Sequence, residues 1–328
     1  MEKKYQNQII IDGLEYCNWN RDILEDLWKG GVTAIHATLV YWENTEESFK
    51  KIEEWNKIFK NNEDIITHAK SSNDILEAKK NNKVAIIFGF QNSAPIENNI
   101  SLVEIFFQKG LRFMQLTYNN QTALGGGCFE KNDSGLSRFG KEVIDEMNRL
   151  GMIVDLSHAG KKTCLDSIRH SSKPVAISHA NPSFFHNSIR NIDDEVLIEL
   201  SKKNGFIGLS LYPYHLKNLG DCKVEDFCIM IKKLINLIGV DNIGIGSDLC
   251  NNWSDEVLVW MRNGNWNKKI DYGESSTKNN SWPKQPTWFK KGSDLKKLFE
   301  SMIINGISED QASKIIGKNW LMFMKNHF

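Results

Sequence analysis

Residues 149–191 read RLGMIVDLSHAGKKTCLDSIRHSSKPVAISHANPSFFHNSIRN. Two apolar runs, MIVDLS and PVAIS, each run into a histidine, His158 and His179. Between them GKKTCLDSIRHSSK has the apolar spacing of one amphipathic helix. The stretch is therefore a strand–helix–strand unit with an imidazole at each strand exit. Parallel strands joined by a helix present their C-terminal ends on one edge of a sheet. Two histidines far apart in sequence are thereby expected to be neighbours in space.

Outward from this unit the same alternation repeats. Further strands are predicted at QIIIDGL (8–14), VTAIHATLV (32–40), KVAIIFGFQ (83–91), LRFMQLTY (111–118), GFIGLSLYP (205–213) and VDNIGIGSD (240–248). Helical periodicity falls between them, from Arg21 to Lys29 first and in VEDFCIMIKKLINLIG last. Several strands are continuous apolar runs, as parallel strands buried on both faces must be. About eight strands, mostly followed by helices, predict an α/β chain folded as a closed (β/α)8 TIM barrel. A doubly wound open sheet ranks second, because DGLEYCNW after the first strand lacks a glycine-rich phosphate fingerprint. Beyond Asp248 the pattern breaks. Residues 249–291 are rich in Trp, Asn and Pro, and helices are expected at 293–305 and 308–327. With no repeat and no linker, residues 1–328 are expected to form a single barrel domain, 249–328 being a Trp-rich insertion with C-terminal helices.

Bulk properties narrow the function. The 328 residues carry 41 Lys+Arg and 41 Asp+Glu, a formal net charge of zero. Phosphate binding needs concentrated basic surface, so no nucleic-acid or membrane partner is expected. There is no apolar run of the roughly eighteen residues a membrane span needs. MEKKYQNQIIIDG lacks the apolar core and cleavage site of a signal peptide. Six scattered cysteines read as reduced thiols. A cytoplasmic protein is expected, with a homodimer left open.

In such barrels chemistry sits at the C-terminal ends of the strands. Those ends carry residues 14–16, His36, Gln91, Tyr118, His158, His179, Tyr212 and Asp248. Two histidines and a carboxylate from three strands form a plausible zinc set, although each also has an ordinary role as a strand-end polar residue. His36 is expected to be a packed core histidine, with a replacement ligand as the alternative, and His186 and His215 to be surface loop residues, with positions facing substrate as the alternative. Trp253, Trp260, Trp266, Trp282 and Trp288 are expected to pack the insertion over the barrel, with a lid as the sharper alternative.

The segments LRFMQLTYNN, GLSRFGKEVIDEMNRLGMIVDLSHAG, PVAISHANP, Arg190-Asn191 and IGIGSDL, in that order and spacing, resemble the renal or membrane dipeptidases, two-zinc hydrolases on an amidohydrolase-like barrel. The resemblance covers roughly residues 84–250. It implies that His158 and His179 hold one zinc, that Asp248 is a metal ligand and proton carrier, and that Arg190 engages the substrate carboxylate. The family's first strand ends in an HxD pair on the other zinc; here that place reads Leu14-Glu15-Tyr16. The bridging glutamate falls at Gln91, which cannot bridge two cations as a carboxylate does. A family histidine near the reacting carbonyl falls at Tyr118, whose hydroxyl could donate to an oxyanion.

The expectation is one zinc held by His158, His179 and Asp248, with Gln91 at most a weak ligand, and a second ion doubtful. The catalytic residues would be Asp248 and Tyr118, and the substrate-binding ones Arg190 and Tyr118. The reaction would be hydrolysis of an amide bond in a dipeptide or similar small substrate. The alternative is a catalytically silent relative that binds a small ligand in the same pocket.

Overall fold

A computed structural model describes residues 8–264 and 280–328; Trp266 lies outside them. The strands are β1 Ile11–Glu15, β2 Ala34–Val40, β3 Ile66–His68, β4 Val84–Phe90, β5 Leu111–Gln115, β6 Ile153–Asp155, β7 Ala176–Ala180, β8 Phe206–Leu209 and β9 Ile243–Ile245. All pair in parallel, in the order β2-β1-β9-β8-β7-β6-β5-β4-β3, and β2 also pairs with β4. That last pairing closes eight strands into a (β/α)8 barrel. The strand missing from the sequence expectation is β3. It pairs with β4 alone and is only partly buried, so ITH lacks the continuous apolar run of the barrel strands.

The helices are α1 Arg21–Lys29, α2 Thr45–Asn61, α3 Ser72–Lys80, α4 Ser101–Gln108, α5 Arg138–Leu150, α6 Lys161–His170, α7 Asp194–Lys202 and α8 Val224–Ile238. After β9 come α9 Asp255–Asn263, α10 Leu295–Ile304, α11 Glu309–Ser313 and α12 Asn319–Lys325. Their boundaries follow local chemistry. Asn44 with Glu47, and Ser71 with Asp74, form reciprocal capping boxes at α2 and α3. Gly151 ends α5 at φ 85°, a left-handed conformation that favours glycine. The first turn of α6 has no cap from Gly160. Asp133, in the loop between β5 and α5, supplies one, accepting from Thr163 N at 3.0 Å and Thr163 Oγ1 at 2.6 Å. No described helix is long and apolar enough to cross a membrane.

The interior of the barrel is filled from below by Trp320 of α12. Its indole is fully buried and Nε1 donates to Ile245 O at 2.7 Å. Gly13, Gly208 and Gly244 leave the space. A methyl at Gly244 would stand 2.7 Å from Trp320 Nε1, one at Gly208 3.1 Å from Trp320 Cζ2, and one at Gly13 would overlap the ring. Phe206 packs 4.2 Å from the indole. The chain thus builds its barrel floor from one large side chain and three absent ones.

Asp12 and Glu15, both on β1, are wholly buried. Asp12 Oδ1 accepts from Ser247 N at 2.7 Å and Leu14 N at 3.2 Å, tying β1 to the loop after β9. Burial pushes the Asp12 carboxyl up to about 6, and burial beside Asp12 pushes Glu15 well above its usual range. The folded state therefore holds a proton here that the unfolded chain releases, and the pair's contribution to stability falls as pH rises above about 4. Glu15→Gln cannot titrate. In urea melts it should gain on the wild type between pH 5 and 8, by up to about 1.4 kcal/mol per pH unit. A gap that stays constant with pH would show that no proton is held there.

Candidate functional site

The strand–helix–strand unit delivers its two histidines to one point. The Nε2 atoms of His158 and His179 stand 2.8 Å apart. His179 lies within β7, whereas His158 sits three residues past β6 with φ 65°. Asp248, three residues past β9, also has positive φ, 56°. Non-glycine residues in this region are strained and cluster at functional sites.

The hydrogen-bond network sets the tautomers. Asn119 Oδ1 lies 2.5 Å from His158 Nδ1 and accepts its hydrogen. Ser178 Oγ gives its own hydrogen to Asp155 Oδ2 at 2.5 Å, so toward His179 Nδ1, at 2.8 Å, it is the acceptor. Asp155 also accepts from Ser157 Oγ at 2.8 Å and Gln115 Nε2 at 3.1 Å. Each imidazole therefore has an oxygen at Nδ1 and turns its Nε2 toward the other ring, the two nitrogens within hydrogen-bond distance at 2.8 Å. A metal ion would bind here in place of that contact. Orientation by an oxygen acceptor on the far nitrogen is also how metal-binding histidines are held. Burial, with Arg190 and His215 nearby, holds both imidazoles well below their usual range, so they are neutral as ligands must be.

The opposite side of the pocket is built of rings. Leu14 is fully buried, and Tyr16 stacks on Trp253 at 4.8 Å and 20°. Tyr16 meets Tyr41 edge-on at 4.6 Å, and Tyr41 meets Tyr118 at 4.7 Å. Gln91 Nε2 donates to Thr38 Oγ1 at 2.9 Å and Tyr41 OH at 2.8 Å, leaving only its oxygen to meet a ligand. The residues thus fit one metal ion on the histidine side, and the ring side does not fit a second. Among the described residues no three His, Cys, Asp or Glu side chains are gathered as a metal cage.

A cavity of about 40 Å³ lies against His158, walled also by Asp248, Tyr118, Gln91, Tyr212 and Arg262 among others. Tyr118 packs on His158 with centroids 4.3 Å apart. Arg190 is 1% exposed, is absent from the cavity wall, and donates from Nη2 to His179 O at 3.2 Å. His36 is a core histidine: its Nδ1 donates to Gly13 O at 2.7 Å, its ring stacks on Phe113, and burial pulls it down to about 4. His215 departs from its expected surface position. The turn Pro213–His215 tucks it inward, its Nδ1 meets Ser210 Oγ at 2.7 Å, and it lines the cavity. Asn119, Tyr41, Ser178 and Arg262 were not singled out in the sequence. The pair Ser178-His179 is the signal that could have found the oxygen at His179.

The insertion returns to the site. Trp253 Nε1 donates to Tyr16 O at 3.0 Å, and Trp42 Nε1 to Met261 O at 3.0 Å, which seats α9 over the rings. Trp282 Nε1 donates to Ser254 O at 3.0 Å, while Trp288 packs away from the site, on Phe227.

Comparison with known proteins gives a consistent picture. Residues 17–255 match the family model described as membrane dipeptidase (peptidase family M19). The match begins just after Tyr16, past the departed strand end. The chain is 30% identical over 212 residues to dipeptidase tcpJ of Claviceps purpurea, covering 64% of this chain and 50% of that protein. It is 27% identical over 215 residues to dipeptidase aclJ of Aspergillus oryzae, covering 64% and 51%. The chain thus spans about half the length of these curated relatives. Among solved structures, an amidohydrolase from Pseudomonas aeruginosa superposes with TM-score 0.94 at 34% identity, over 99% of this chain and 98% of that one. A metallopeptidase from Rhodobacter sphaeroides, liganded with a phosphinate mimic of L-Ala-D-Ala, shares the fold with TM-score 0.81 at 16% identity, over 98% and 100%.

Proposed function

The chain belongs to the membrane dipeptidase family, peptidase family M19, and on that footing we propose a metal-dependent hydrolase that cleaves an amide bond in a dipeptide or similar small substrate, using one zinc ion. The observation that carries this proposal is the pair of buried imidazoles whose Nε2 atoms meet 2.8 Å apart, each held at Nδ1 by an oxygen. His158 and His179 would hold the ion, with Asp248 the third protein ligand or the base. When bound, zinc supplies Lewis acidity at the scissile carbonyl.

The chain's own residues do the rest. Asp248 on the cavity wall takes the proton of the attacking water and returns it to the leaving nitrogen. Tyr118, packed on His158, donates its hydroxyl to the oxygen that becomes anionic. Arg190 holds the end of β7 through His179 O and so positions the imidazole.

A second proposal is a silent ligand-binding relative, favoured by the rings that occupy the other half of the site. One experiment separates the two. Purified protein is stripped of metal, reloaded with zinc and offered a panel of dipeptides. One zinc per chain and turnover that returns with zinc are expected. No zinc above trace, together with dipeptide-dependent thermal stabilisation and no turnover, would establish the silent alternative.

A further inference from the structure

We infer that the chain carries a second small-molecule pocket, which takes a flat, uncharged aromatic ring bearing a hydrogen-bond acceptor. The inference goes beyond the proposed hydrolysis and does not depend on it.

This pocket opens between the loop after β1, the end of β2 and α2, and encloses about 290 Å³. An apolar cavity of roughly 150 Å³ already takes benzene, so a bicyclic ring fits. Tyr16 and Thr38 line it. They touch Tyr41 and Gln91, which line the first cavity. The two spaces share that wall and no lining residue.

The walls are rings. Trp19 and Trp55 meet at 5.4 Å and 55°, and Tyr16 stacks on Trp253. Such faces hold a flat aromatic guest by stacking and edge contacts. The indole nitrogens narrow its chemistry. Those of Trp28, Trp42, Trp253, Trp282, Trp288 and Trp320 each donate to a backbone carbonyl. Trp55 is 4% exposed, yet its Nε1–H meets no acceptor among the described residues and is not sealed in the core. The ring also packs on Phe59 and Phe88, at 5.5 and 5.6 Å, so its one opening is this pocket. A buried indole N–H ordinarily finds a partner, and it can only donate. A guest must therefore offer it a lone pair. Lys51 and Glu54, half-exposed at the mouth, pair with each other at 3.0 Å, so neither selects a charged guest.

Isothermal titration calorimetry on the full chain tests this with two probes. Chromone offers a carbonyl oxygen; indole is a bicycle of similar size that only donates. Wild type should bind both and prefer chromone by about 3- to 10-fold, the worth of one hydrogen bond. Trp55→Phe keeps a ring and removes the donor. It should lose that preference while still binding indole, which shows that it is folded. Trp19→Ala, at the half-buried rim, should weaken both probes by about tenfold, and it decides the matter even where Trp55→Phe does not fold. Stripping the metal should leave both affinities unchanged. No saturable binding of chromone, no preference over indole, a preference that survives in Trp55→Phe, or affinities that ignore Trp19→Ala overturn the inference. So does chromone binding that follows the metal, which places the guest at the histidine pair. The expected pattern in a chain that hydrolyses no dipeptide upholds the inference and overturns only the hydrolase proposal.

Discussion

His179→Ala should lose zinc and about a thousandfold in kcat/KM together, with little change in melting temperature. Removing a metal ligand forfeits several kcal/mol of transition-state stabilisation, and roughly 4 kcal/mol corresponds to that factor. His158→Ala should match it, because the two Nε2 atoms bracket one point. The supporting serine gives a graded comparison. Ser178 Oγ accepts from His179 Nδ1 and passes the polarity on to Asp155. Ser178→Ala should therefore cost about 10- to 100-fold in metal affinity, as loss of an outer hydrogen bond does elsewhere. Metal content, steady-state kinetics and thermal melts on the three variants decide the matter. Full zinc content in His179→Ala would remove the histidine pair from the metal site.

Trp320→Ala should cost about 3–5 kcal/mol, the range for emptying a buried aromatic site. The indole is enclosed by Phe206, Phe113 and three glycines whose missing side chains shape its socket. Backbone glycines cannot repack into the void. The loss also frees Ile245 O, which Nε1 now satisfies at 2.7 Å. In a chain of this size the melting temperature should fall by on the order of 10 °C. Gly244→Ala approaches the same socket from the other side and should destabilise by overpacking. A Trp320→Ala melt within about two degrees of wild type would show that the floor is held by something else.

Much of the barrel was legible because parallel strands buried on both faces write continuous apolar runs, as VAIIFGF in β4 does. β3 was not, since it lies outside the closed barrel, half-buried, and writes no apolar run. His158, His179 and Asp248 could be placed at strand ends from sequence. What placed Asn119 and Tyr41 around them was tertiary: they come from the loops after other strands. Trp320 shows the same limit. Its helix was visible as a periodic run, but its target was written as absences, in Gly13, Gly208 and Gly244, which periodicity does not count. His215 was misplaced because a proline-led turn after β8, unlike a surface loop, folds back over the strand ends.

Tyr16 stands where the family resemblance places an acidic metal ligand, and the same ring bears Trp253 and receives its indole hydrogen bond through the backbone. An aspartate restored at this position would regain one donor and lose the stacked surface beneath α9. Restoring Leu14 and Gln91 as well would still leave Tyr41 without its amide partner. Each single step back is a loss before the set is complete. The exchange works as a ratchet: with the rings supporting the cover, a two-ion site would not be gained one residue at a time.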